Sequence, residues 1–164
     1  MKSYFLLLVL IIALNGNAQN APELSAGRWL NTEQKMSLEH LQGKVVLLDF
    51  WGIWCKPCVE AIPKLTSLNN TFDREVFQVI TVHTPKRSEN LKEVFRENDF
   101  TLATMVDKIP KGETAPGYYG VTSNQYGVKA YPSYILIDKN GRIVGNIRSN
   151  LPEADEIRHL ISIN

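Results

Sequence analysis

Residues 45–58 read VVLLDFWGIWCKPC. From Val45 to Phe50 every residue but Asp49 is apolar, which is how a strand buried on both faces reads. From Cys55 to Phe72 the spacing turns helical, with Val59, Ile62, Leu65, Leu68 and Phe72 along one side. Pro63 is expected to kink that helix. Cys55-Lys56-Pro57-Cys58 therefore stands where a buried strand gives way to a helix. The unpaired N–H groups and the macrodipole at a helix N-terminus favour negative charge. Thiols so placed have pKa values of ~3.5–7.5 instead of ~8.5, and the thiolate is the species that attacks disulfides. Cys58 comes round one turn later, in reach of Cys55, and is expected to be the more buried because it lies inside the first turn.

Two plainer uses of the pair stand beside this redox reading. One is an inert staple, but closing so short a loop adds little stability. The other is half of a zinc site, which needs two further ligands. The chain has no other cysteine, and His40, His83 and His159 are scattered. No metal site and no cofactor beyond the cysteine pair itself is therefore expected.

Outward from this stretch, Arg28-Trp29-Leu30 and Met36-Ser37-Leu38 suggest short edge strands or a hairpin. Val76–Val82 reads as a second buried strand. Ser88–Asn98 reads as a helix with Ser88 as N-cap. Ala103–Val106 suggests a third strand, 107–120 a loop, and Ser123–Tyr126 a helical turn. Ser133–Asp138 and Ile143–Ile147 form a hairpin about Asn140-Gly141, and 152–163 closes as a helix. Strands alternating with helices imply parallel strands with helices on both faces, and the last hairpin adds an antiparallel edge. The expected fold class is α/β: a mixed central sheet flanked by helices, with an N-terminal β-hairpin.

The chain has 164 residues, enough for one domain with a real core. Its 18 Lys+Arg against 17 Asp+Glu give a formal charge of +1, without the basic excess of a nucleic-acid binder. Two cysteines cannot frame a disulfide-rich scaffold. The chain opens with Lys2, the apolar run YFLLLVLIIAL from Tyr4 to Leu14, and small residues at Gly16 and Ala18. That is the pattern of a secretory signal peptide cleaved after Ala18, too short to span a bilayer. The expected organisation is residues 1–18 as leader and 19–164 as one domain. It is expected to be exported, to a periplasm or an equivalent compartment, and without stable membrane insertion after cleavage.

Val46–Cys58 resembles the active-site segment of the thioredoxin superfamily. Gly43-Lys44-Val45 before it and Pro63 after it are also typical. Tyr126–Ser133 (YGVKAYPS) resembles the loop carrying that family's cis-proline, and Ile137–Ile143 the hairpin after it. The long stretch from Cys58 to Pro132 leaves room for a central strand–helix insertion. With the leader, this is similar to the TlpA/ResA-type thioredoxin-like reductases of the bacterial envelope.

The resemblance implies a thiol–disulfide oxidoreductase acting on disulfide-containing proteins and recharged by a membrane thiol-reducing donor. Cys55 is then the nucleophile, Cys58 the resolving thiol, and Pro132 cis beside them. Trp54, Lys56, Pro57 and Tyr131 line the substrate side. Asp49 takes the place of a buried acid, with a raised pKa and a proton-accepting role toward Cys58; a plainer use is an ion pair with Lys86 or Lys139. One departure is Ala61, where envelope reductases often carry glutamate; Glu60 is one residue off and points elsewhere. Another is the bulk of Tyr131. Two alternatives use the same fold. A copper-binding module would use both cysteines and His83. A peroxiredoxin-type peroxidase needs a hydroxyl residue three before its nucleophile and a proline seven before it, where this chain has Gly52 and Leu48.

Overall fold

The computed structural model describes residues 19–113 and 117–163. The leader expected at residues 1–18 lies outside the described residues. The strands are β1 (Ala26–Leu30), β2 (Val45–Trp51), β3 (Phe77–His83), β4 (Thr104–Asp107), β5 (Ser133–Ile137) and β6 (Ile143–Arg148). The helices are α1 (Lys56–Thr71), α2 (Leu91–Glu97), α3 (Val121–Gln125) and α4 (Ala154–Ser162). One six-stranded sheet runs β1-β4-β3-β2-β5-β6. β2, β3 and β4 are mutually parallel, while β1, β5 and β6 each pair antiparallel with their neighbours. This is the mixed, helix-flanked sheet of the thioredoxin-like class. The stretch from Cys58 to Pro132 carries two strands and two short helices after α1.

β2 lies inside the sheet between β3 and β5, and all seven of its residues are buried. Alternate side chains serve opposite faces. Val45, Leu47 and Trp51 join Ile62 and Leu65 of α1, Leu91 of α2 and Ile157 of α4 on one side. Val46, Leu48 and Phe50 join Ile80, Met105 and Ile135 on the other, beside Tyr126 and Val128. α1 runs on through Pro63, which supplies no N–H to its own turn.

Two expectations are corrected. The N-terminal hairpin does not form: β1 pairs instead with β4, Ala26 opposite Asp107 and Leu30 opposite Thr104. Asn31 turns the chain away with φ 54° and ties its amide to the Phe100 carbonyl at 2.9 Å. The Leu38 N–H donates to the Glu23 carboxylate at 2.8 Å, not to a strand partner. Likewise, α2 begins at Leu91, after Asn90, and Ser88 is not its cap. Arg87 adopts φ 55°, and the Ser88 carbonyl accepts from the Arg28 guanidinium of β1.

Buried Asp107, the last residue of β4, anchors α3. It accepts from Thr122 N–H at 2.9 Å, and from Ser123 N–H and hydroxyl at 2.8 and 2.7 Å. Gly120 makes room for this carboxylate: a Cβ there would stand 2.3 Å from its carbon. Gly120→Ala must push the carboxylate off its buried donors, at about 2–4 kcal/mol. Thermal unfolding should show a midpoint roughly 8 °C lower; an unchanged midpoint would contradict the close fit.

Candidate active site

The β2 strand ends at Trp51 and the chain turns through Gly52, Ile53 and Trp54 into α1. Cys55 is the N-cap of α1, at φ −84° and ψ 94°, with Pro57 in the first turn. Its carbonyl accepts from Cys58 N–H at 3.0 Å and Val59 N–H at 3.1 Å. The two cysteines are joined in a disulfide, with Cα atoms 5.2 Å apart. Cys55 is 9% exposed and Cys58 3%, so an approaching partner meets Cys55 first, in the order the helix geometry predicts. Lys56 and Pro57 are exposed between them, and Lys56 pairs with Glu60 at 3.8 Å. Glu60 thus faces outward, while Ala61 packs against the core.

On the sheet face that carries the cysteines lies Asp49. It is in register with Thr81 of β3 and Tyr134 of β5, and its alternation on β2 turns it to the α1 face. It is buried, and its Oδ1 has no hydrogen-bond partner. The ion pair with Lys86 or Lys139 does not form. Lys86 lies over the Tyr118 ring at 3.8 Å, and Lys139 donates to the Ile161 carbonyl at 2.9 Å. Burial alone, without a compensating charge, pushes the Asp49 carboxyl up to about 8. The same acid helps burial to raise the Tyr134 phenol.

The third wall is the Tyr131–Pro132 bond, which is cis. Ser133 pairs with Phe50, so Pro132 stands at the end of β2 from which the cysteine loop departs. Tyr131 packs against the core cluster that holds both cysteines. Its hydroxyl donates to the Tyr118 carbonyl at 2.6 Å, and its ring lies 5.6 Å from Tyr119. Burial pushes the Tyr131 phenol up to about 12. The bulky residue before the cis-proline is therefore tied into the 117–120 loop.

That loop, read from the sequence only as a connection, supplies further residues. Tyr118 is 50% exposed, yet its ring sits edge-on to Trp54 at 5.3 Å. Trp54, half-buried, lies between Tyr118 and His83, whose ring is 6.2 Å away. Trp54, Tyr118, Lys86 and Tyr131 thus form an aromatic and cationic rim beside Cys55. Phe50 and Trp51 serve packing: Phe50 faces the second core, and Trp51 stacks with Phe95 and Phe100. No local pattern marks Tyr118, because its place depends on the Tyr131 hydrogen bond from a distant loop.

His83 entered the sequence reading only as a metal-ligand candidate. Both of its nitrogens are engaged inside the fold, with Ile53 N–H at 3.1 Å and the Thr84 carbonyl at 2.6 Å. The copper reading would have to break one of these bonds to free a ligating nitrogen. No cluster of three or more metal-ligating side chains occurs among the described residues. The peroxidase reading fares no better on geometry. Leu48 faces the core opposite the cysteines, and Gly52 is pressed against the Trp54 ring, so neither brings a polar group to Cys55.

Similarity to known proteins follows the same lines. The AhpC/TSA family model matches residues 18–145. The thiol-disulfide oxidoreductase ResA of Geobacillus thermodenitrificans is 29% identical over 126 residues, covering 77% of this chain and 67% of that protein. The thioredoxin-like protein YneN of Bacillus subtilis is 32% identical over 127 residues, covering 76% and 67%. For ResA of Bacillus thuringiensis the alignment spans only 61% of that protein's length. Among solved structures, a thioredoxin-like superfamily protein superposes with a TM-score of 0.78 at 25% identity, covering 90% of this chain and 99% of that one. A thiol-disulfide isomerase from Corynebacterium glutamicum gives 0.76 at 26% identity, with the same coverage.

Proposed function

The chain belongs to the AhpC/TSA family, on its thiol–disulfide oxidoreductase side, and from that premise we propose that it reduces protein disulfides outside the cytoplasm. The observation that carries the reading is the pairing of a helix-capping Cys55 with a more buried Cys58 in front of an unpartnered carboxyl. In the reduced protein the Cys55 thiolate attacks a substrate disulfide. A mixed disulfide forms and one substrate thiolate leaves. Asp49 takes the proton from Cys58, whose sulfur attacks Cys55, closes the internal disulfide and expels the second substrate thiolate. Two electrons pass to the substrate, and an external dithiol must return them. By resemblance, a membrane thiol-reducing protein supplies them.

Trp54, Lys56, Pro57 and Tyr131 are assigned to the substrate side. Trp54 and Tyr131 wall the approach to Cys55, while Lys56 and Pro57 are its exposed helix-side flank. Tyr131 forms no backbone hydrogen bond among the described residues, which leaves its main chain able to pair with an extended substrate segment. Export rests on the leader at residues 1–18. No helix among the described residues is long and apolar enough to cross a membrane.

The reduction potential of the pair tests the direction. Equilibration with glutathione or dithiothreitol should place it nearer the about −270 mV of thioredoxin than the about −120 mV of a strong oxidant. A value at the oxidising end would overturn the reductase direction.

A further inference from the structure

We propose that His83 is a positioning residue for the nucleophile, gripping the loop that carries Cys55 through the Ile53 N–H. The inference rests on the reading of Cys55 as the attacking cysteine. His83 ends β3 and is fully buried, directly across from Trp51 in the β2–β3 register. A carbonyl oxygen accepts only, so the 2.6 Å contact with Thr84 places the ring proton on Nδ1. An amide N–H donates only, so the 3.1 Å contact with Ile53 requires Nε2 to be bare. A single neutral tautomer satisfies both. The ring cannot easily swing away, since Trp51 meets it edge-on at 4.9 Å and Trp54 covers it at 6.2 Å.

The loop it grips has few other ties. Cys55 N–H closes onto the Gly52 carbonyl at 2.9 Å, and Thr84 N–H donates to the Trp51 carbonyl at 3.0 Å. Among the described residues, His83 is the one side chain that hydrogen-bonds the backbone of 52–55. Gly52 is fixed by contact: a Cβ there would stand 2.8 Å from the Trp54 ring. The loop between β2 and α1 therefore has its middle held by β3. This matters chemically because thiolate stabilisation at an N-cap depends on where the sulfur sits against the first-turn N–H groups. A slack loop lets Cys55 leave that position. Burial also pushes the His83 ring down to about 4, so the neutral ring this geometry needs is the form present at neutral pH.

The test follows the alkylation of Cys55 by iodoacetamide against pH in the full-length reduced protein, with the adduct located by mass spectrometry. His83→Leu keeps an apolar side chain and removes both nitrogens. Its Cys55 inflection should move up by about one pH unit, making alkylation about tenfold slower at any pH below both inflections. His83→Gln, whose amide oxygen still accepts the Ile53 N–H, should recover most of the loss. A folded His83→Leu protein with the wild-type profile would overturn the positioning role while leaving Cys55 as nucleophile. An ordinary thiol inflection near ~8.5 in the wild type would overturn the nucleophile reading and the positioning role with it. Should His83→Leu not fold, long-range proton–nitrogen correlations on the wild type decide. A proton on Nδ1 and a bare Nε2 are expected, and the opposite tautomer overturns the grip on Ile53.

Discussion

Cys55→Ser is expected to reduce catalysed insulin reduction by dithiothreitol to the uncatalysed background, a loss on the order of a thousandfold or more. A serine hydroxyl is almost fully protonated at pH 7, and the helix N-terminus does not bring it into range. The loss will be chemical and not a matter of folding. The Cys55–Cys58 bond closes a loop with a sequence separation of only 3, so its removal costs little chain entropy. Cys58→Ser should fail differently. Cys55 still attacks, but nothing inside the protein expels the partner, so the mixed disulfide accumulates. Equal activity in wild type and Cys55→Ser would sink the assignment of the nucleophile.

The second large effect belongs to Asp49. If it accepts the Cys58 proton, resolution of the mixed disulfide requires the ionised carboxylate. The rate of that step should climb with pH through about 8, where the buried carboxyl loses its proton. Asp49→Asn cannot accept a proton. It should slow resolution about a hundredfold and erase that inflection, with the first attack by Cys55 little affected. The same substitution should raise stability in alkali. The folded protein holds the Asp49 proton up to about pH 8, whereas the unfolded chain releases it near ~3.9. Stability due to this group is therefore full below the unfolded value and declines as pH rises through the folded one. At pH 9 the asparagine variant should unfold at higher denaturant concentration than wild type, by an amount on the order of 5 kcal/mol. Stopped-flow resolution rates together with urea melts at pH 6 and pH 9 check both halves. An asparagine variant with the wild-type pH profile would remove Asp49 from the proton path.

Much of this was legible in residues 45–58. A run as apolar as VVLLDF has few solutions other than a central strand, and its single acid stood out for that reason. The helical spacing after Cys55 placed the thiols correctly, including which is the more buried. The Asn140-Gly141 turn and Pro132 likewise carry their geometry locally, and the cis bond sits where the resemblance implied. What the sequence did not disclose depends on distant partners. β1 has the Met36 segment close by in sequence, yet it pairs with β4, and the Leu38 N–H goes to Glu23. Ser88 looked like a cap, but its carbonyl serves Arg28. His83 looked like a scattered histidine until β3 set it beside Ile53. Tyr118 joined the rim through the hydroxyl of Tyr131.

The rim also bears on partner choice. With positive and negative residues nearly balanced over the chain, no strong overall field steers a partner. On the proposed reading, recognition falls to the local surface of Trp54, Tyr118, Lys86 and Tyr131.

The division of labour in which Cys55 attacks and Cys58 resolves is open to one direct measurement. Reduced Cys58→Ser protein is mixed with two identical peptides joined by one disulfide, quenched in acid, and digested for mass spectrometry. A stable adduct of one peptide on Cys55, with the other released as a thiol, is the expected result. Absence of any adduct on Cys55, or an equally fast adduct on Cys58 in the Cys55→Ser protein, would contradict it.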